Sequence, residues 1–279
     1  MNRTQKNLAS QFILWFLLLS GVVITVFPLV YMVSTSLKGP IFVFEMPPKI
    51  IPSKPSLDNF FRAWNSNNFE RYFLNSLAVT SICTVVVIFL SSMMAYAFAR
   101  FEFRLKKTLF YIVIFFMMLP SMTLIVPQFT LAVKLKLINK LSGLFYLYVA
   151  QNIPLATFLL QGFMALIPVE IEEAARIDGA TPWQVYWRIM LPLCGPAIAT
   201  AAIFASLGTW DEFVWANTIL NKPNIRTLPV AIASFQGTHN SDWGLIFAAS
   251  IMAVLPVIII FIALQRFFVK GAASGAIKG

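Results

Sequence analysis

Six stretches of this chain run without a single charged residue: Asn7–Leu37, Tyr72–Ala99, Thr108–Val133, Leu141–Val169, Ile189–Trp210 and Trp243–Gln265. Crossing about 30 Å of hydrocarbon takes about 20 apolar residues at about 1.5 Å each, and all six runs are long enough. Backbone polar groups cannot stay unpaired in lipid, so each run is expected to be a helix. The spans are predicted at Phe12–Leu37, Leu74–Phe98, Thr108–Ala132, Leu141–Ala165, Leu193–Trp215 and Leu245–Phe268. Arg3 and Lys6 precede the first, but its apolar run exceeds the roughly 7–15 residues of a signal peptide, so a retained helix is expected. Pro120, Pro127 and Pro154 are expected to interrupt the third and fourth helices, as neighbours or water can satisfy the freed carbonyls. The fold class read from this pattern is an all-α membrane protein, one transmembrane domain spanning 1–279.

Composition agrees. Of 279 residues 59% are hydrophobic and 11% charged, against about 25% charged in soluble domains. A soluble enzyme, a disordered chain and a disulfide scaffold are excluded. Chemistry is bounded as tightly: the lone histidine, His239, and the distant Cys83 and Cys194 make no zinc spacing and no redox pair. No GxxxxGK[ST] phosphate loop occurs. Neither a catalytic residue, a metal site nor a cofactor is expected, and any ATP must be hydrolysed by a partner. The net charge of +10 sits mostly on residues flanking apolar runs. Anionic headgroups of the bilayer explain it, and nucleic acid does not.

Two connections are richer than simple turns. Lys38–Phe73 carries Pro40, Pro47, Pro48, Pro52 and Pro55, then Phe60, Phe61, Trp64, Phe69 and Tyr72. It reads either as an interfacial aromatic belt or as a surface receiving an external partner. The segment 167–192, IPVEIEEAARIDGATPWQVYWRIMLP, suddenly concentrates Glu170, Glu172, Glu173, Asp178, Arg176 and Arg188. Pro168 suits a first helical position, the acidic residues favour the first turn, and Gly179 suits a left-handed terminus. Thr181, Pro182 and Gln184 then form a capping box that opens a second helix, ended by Leu191-Pro192. The prediction is a stiff helix–turn–helix between the fourth and fifth spans, too polar for lipid. Its first helix exposes its acidic residues and leaves Ile171, Ala174, Ala175 and Ile177 available for packing. Interfacial helices usually carry Lys and Arg on the polar face, so an acidic one suits a basic protein partner better.

Glu173-Ala174-Ala175, three residues, Gly179, nine residues, Ile189, one residue, Leu191-Pro192 resembles at every position the EAA motif of permease subunits of binding-protein-dependent ABC importers. AYAFARFEFRLKK, RTLPVAIASFQG and FFVKGAASGAIKG resemble the carbohydrate-uptake branch, in which an Asn is expected where this chain has Asp211. The resemblance implies that the loop is cytoplasmic, as are both termini, although basic residues divide almost evenly between the two sides. It implies a multi-pass protein of a prokaryotic cell membrane. It also implies that Glu172, Glu173, Ala174, Ala175, Asp178 and Gly179 couple to an ATPase, with Ile189, Leu191 and Pro192 tying the loop to the fifth span. A homologous sister permease, two ATPase copies and an extracytoplasmic solute-binding protein are the implied partners, and alternating access the implied mechanism.

Pathway candidates are Asn75, Gln128, Gln151, Asn152 and Asn217, each able to bond solute hydroxyls or to join helices. Trp210 and Trp215 could stack on a sugar or anchor at the interface. Asp211 and Glu212 either emerge at the outer interface or face a wet path. An ion-coupled carrier, or a permease for a solute such as glycerol phosphate, stands as the alternative.

Overall fold

The structure, a computed structural model, describes residues 3–39, 49–66, 68–236 and 242–276. Every regular element among the described residues is a helix. In order these are α1 (Arg3–Ser36), α2 (Asp58–Asn65), α3 (Phe69–Arg100), α4 (Lys106–Met118), α5 (Ser121–Lys134) and α6 (Ser142–Met164). There follow α7 (Glu170–Ile177), α8 (Pro182–Leu193), α9 (Gly195–Trp210), α10 (Val214–Ile219), α11 (Leu228–Ala233) and α12 (Trp243–Ala276). Four helices are long and apolar enough to cross a membrane, or up to six if each of two bent pairs is one span. Pro40, Pro47, Pro48 and His239 lie outside the described residues.

Two predicted spans are broken rather than continuous: the third, and the fifth, Leu193–Trp215, which is interrupted at residues 211–213 between α9 and α10. α4 and α5 meet at 94°, because Pro120 offers no N–H and forces the residue before it out of helical backbone; Leu119 sits at ψ 121°. At the entry to the fifth span, α8 meets Gly195–Ile219, the stretch of α9 and α10, at 77° around Cys194, two residues beyond the Leu191-Pro192 stop expected from sequence. Pro192 is absorbed into α8 behind a π-helical stretch, Tyr186–Met190. A wider turn makes room for a ring that would otherwise press on the carbonyl four residues back. The two other prolines do not interrupt anything. Pro127 lies in the first α-helical turn of α5, where an N–H has no partner to lose, and Pro154 lies inside an unbroken α6.

The chain forms two compact units. In the one made of residues 1–69 and 232–254, the part of α1 from residue 11 to 30 is apolar and exposed around its circumference, as a lipid-facing helix should be, while Ser34, Thr35 and Ser36 at its end are buried. Its C-terminal carbonyls are capped from α2: Asn59 Nδ2 donates to Ser36 O at 2.9 Å and to Lys38 O at 2.6 Å. Arg62 pairs with Asp242 at 2.6 Å, and Asp242 accepts from Leu245 N to cap α12.

The other unit, residues 70–231 and 255–279, is organised by α3 and α6. One core cluster joins Val87, Ala95 and Tyr96 of α3 to Leu160 and Met164 of α6, Val185, Tyr186 and Met190 of α8, and Ala197, Ala201 and Ala205 of α9. That four-residue alanine spacing lets helix backbones approach closely, the usual device where lipid offers no hydrophobic drive for association. A second cluster gathers Val79 and Cys83, Leu144 and Tyr148, and Trp215 and Ile219.

Candidate functional site

The polar segment between α6 and α9 is the helix–turn–helix that its punctuation predicts. α7 begins at Glu170, two residues after Pro168, with Glu170, Glu172 and Glu173 in its first turn, where the helix dipole favours negative charge. It ends in a Schellman motif. Ala180 N donates to Ala175 O at 2.9 Å and Gly179 N to Arg176 O at 3.0 Å, with Gly179 at φ 85°. The capping box of the second helix is complete: Gln184 N donates to Thr181 Oγ1 and Thr181 N donates to Gln184 Oε1 at 2.7 Å. Such a cap stabilises a helix start by about 1 kcal/mol.

The two faces of α7 differ from the simple picture of acids outside and apolar residues inside. Glu170, Glu173, Ala174 and Ile177 recur at helical spacing and are all exposed. Ile177, expected to be available for packing, is 86% exposed. Glu172 turns inward and is 1% exposed. Arg100 Nε donates to Glu172 Oε1, and Tyr96 Oη donates to Glu172 Oε2 at 3.0 Å. Arg176 stands at 3.8 Å. Glu172 therefore fixes the hairpin to α3 in this chain, because a buried carboxylate is tolerated only when paired. Ala175 packs on the core cluster with Ile167, Ala180 and Leu191. Asp178 and Gly179 are exposed at the turn, Ile189 is half-buried and Pro192 exposed.

The pathway candidates scatter. Gln128 and Gln151 come together: with Ser121, Phe116, Met117 and Pro154 they line a cleft of about 380 Å³ at the α4–α5 break. Among the described residues, no charged side chain lines it. The remaining candidates are largely committed elsewhere. Asn75 Nδ2 donates to Arg226 O at 3.0 Å. Asn152 Nδ2 donates to Tyr148 O, and its Oδ1 lies where a Cβ on Gly208 would approach to 3.0 Å. Trp210 is buried edge-on against Phe73. Trp215 is buried too, with Nε1 donating to Gly143 O at 3.2 Å.

Glu212 closes the start of α10. Its Oε1 accepts from Trp215 N at 2.7 Å and its Oε2 from Ala216 N at 3.0 Å, while Tyr148 Oη donates to Oε2 at 2.6 Å. An orphaned helix N-terminus explains this acid more directly than a solute does. Asp211 and Asn217 are exposed.

Sequence reasoning missed Arg100 and Tyr96 as parts of this site, and with them Ser92 of α3 and Tyr186 of α8, whose hydroxyls lie 2.7 Å apart. Arg100 reads as one of a cluster of basic residues after the second span, and its carboxylate partner lies 72 positions away. Spacing alone carries no signal for such a pair.

Residues 87–274 match the family described as binding-protein-dependent transport system inner membrane component. The melibiose/raffinose/stachyose import permease protein MelC of Bacillus subtilis is 35% identical over 231 residues, covering 82% of this chain and 84% of MelC. The trehalose transport system permease protein SugB of Mycobacterium tuberculosis is 34% identical over 254 residues, covering 90% and 92%. In fold, the chain resembles a subunit in the crystal structure of a bacterial ABC transporter that imports the acidic polysaccharide alginate. The TM-score is 0.82 at 21% identity, over 96% of this chain and 99% of that one. This chain therefore belongs to the family of inner-membrane components of binding-protein-dependent transport systems, the non-catalytic, multi-pass permease subunits of ABC importers.

Proposed function

We propose that this chain forms half of the translocation pathway of an ATP-driven importer of a sugar or oligosaccharide, and that the α7–α8 hairpin seats an ATPase. The observation that carries this reading is the outward face of α7, where Glu173, Ala174 and Ile177 project from a hairpin closed by caps at both helices. Glu173 meets a basic residue of the ATPase, Ala174 permits close approach, and exposed Ile177 supplies an apolar knob. Gly179 and Asp178 form the turn, and Ile189, Leu191 and Pro192 lead into the membrane helix. Glu172 and Ala175 hold the hairpin from behind.

A sister permease supplies the other half of the pathway, two ATPase copies bind from the cytoplasm, and a solute-binding protein delivers cargo from outside. α4 with α5 counts as one span and α9 with α10 as another, giving six, with both termini in the cytoplasm of a prokaryote. Part of the Lys38–Phe73 connection serves as the receiving surface. An ion-coupled carrier would need charges free inside the membrane, and Glu212 is engaged as a helix cap.

The Gln128–Gln151 cleft is the part of the pathway that meets solute. A helix break at membrane depth is tolerated where it lines protein or a wet cavity, and neutral amides beside the Phe116 ring suit hydroxyls and a sugar C–H face. Lacking a cation, the cleft fits a neutral sugar better than glycerol phosphate. Replacing both glutamines by leucine is expected to lower uptake at least about tenfold, the loss that follows when hydroxyl partners vanish. Raffinose, trehalose and maltose serve as probes, and unchanged uptake removes the cleft from the pathway. Sidedness is checked separately by Asp178→Cys. In intact cells an impermeant maleimide should not reach it, whereas in inverted vesicles it should; labelling from outside overturns the ATPase seat.

A further inference from the structure

We propose that Arg100, Tyr96 and Glu172 form a positioning joint that carries movement of the hairpin into α3, with Glu172 acting inside the chain rather than on a partner. The proposal rests on the hairpin being the ATPase seat. Its basis is a polar stripe on α3: Ser92, Tyr96 and Arg100 stand four residues apart, one above another on a single helix face. All three reach the hairpin. Arg100 Nε and Tyr96 Oη both donate to Glu172 on the first arm. Ser92 Oγ lies 2.7 Å from Tyr186 Oη on the second arm, both groups buried. The Tyr96 and Tyr186 rings pack at 5.3 Å, bridging the two ties.

Stability alone does not account for this. A buried ion pair is no more stabilising than well-packed apolar side chains, because desolvation offsets its attraction. What it adds is fixed geometry. The Arg100 side chain is 6% exposed and Glu172 1%, and the guanidinium also donates from Nη2 to Ile167 O at 2.7 Å. Its planar fork thus ties α3, the exit of α6 and α7 at one point, which a lysine ammonium would not do with the same rigidity. The joint lies on the face of α7 opposite Glu173 and Ile177. Force applied to the outward face is delivered to α3 without passing through the Gly179 turn.

Spin labels at Ile171→Cys, on α7 beside rather than within the outward face, and Leu90→Cys test this in the full transporter reconstituted in lipid vesicles, with Cys83 and Cys194 replaced. Both label sites are exposed, Leu90 on α3. The intact joint is expected to give one narrow distance, the same without nucleotide and after trapping with ATP and vanadate. In Glu172→Gln the population at other distances should rise about tenfold, while the ATPase still co-purifies because the outward face is untouched. The Arg100→Gln/Glu172→Gln double variant leaves no lone buried charge to block folding, and should detach no more than the single, the two changes breaking one interaction. A narrow distance retained in both variants overturns the joint, as does a distance that changes with nucleotide in the parent. Loss of the ATPase in Glu172→Gln also overturns it, placing Glu172 on the partner. Loss of the ATPase seat itself is read independently through Glu173→Lys.

Discussion

Glu173→Lys is expected to weaken association with the ATPase about 100-fold or more and to stop ATP-driven uptake, while the protein still inserts and folds. Glu173 is exposed on α7 and has no role in holding the hairpin, which Glu172 beside it performs from the buried side. Reversal places like charges across an interface, a penalty that reaches several kcal/mol at desolvated contacts. Co-purification of the ATPase with the tagged permease measures it directly. Glu102→Lys makes the same change of two charge units outside the hairpin, where Glu102 forms an exposed pair with Lys106, and should leave association intact. Equal loss in both variants would mean that net charge, not the α7 face, governs assembly.

Gly179→Val should be nearly as severe by a different route. Nothing lies within 4 Å of a Cβ built on Gly179, so the side chain meets no obstacle. The backbone is the obstacle: φ is 85°, a conformation that costs an L-residue about 1–3 kcal/mol, most for a β-branched one. Relief comes only by reopening the turn, which breaks the Schellman bonds and swings α7 away from α8. Gly179→Asn, with a side chain that tolerates the left-handed region, should keep most activity. Uptake and ATPase binding should therefore rank Gly, Asn, Ala, Val. A ranking by side-chain volume alone, with Asn as poor as Val, would assign the effect to crowding by the partner.

Both predictions draw on features readable along the chain, and their limits are instructive. The capping box and the glycine terminus are local: Thr181 bonds a residue three positions away, and the Gly179 turn closes within five. Interactions of that range follow from residue order. The facing of α7 does not. Glu172 and Glu173 are chemically alike and adjacent, yet one is buried and one exposed, because Arg100 and Tyr96 approach from one side only. Similarly, Asp211 and Glu212 form one acidic pair in the sequence, and the structure separates them into an exposed helix end and a cap gripped by Tyr148.

By itself, then, the order of residues determined that the protein is helical and lies in a membrane, how many apolar segments it has, and where the stiff polar hairpin falls. These depend on hydrocarbon thickness, helix rise and short-range capping, all of which act within a few turns of chain. Tertiary structure decided which side chains of that hairpin face outward, which glutamines share a cleft, and where Pro120 bends a helix while Pro154 does not. Each of those outcomes depends on which neighbour arrives from a distant segment to satisfy a buried charge, an orphaned N–H or a freed carbonyl.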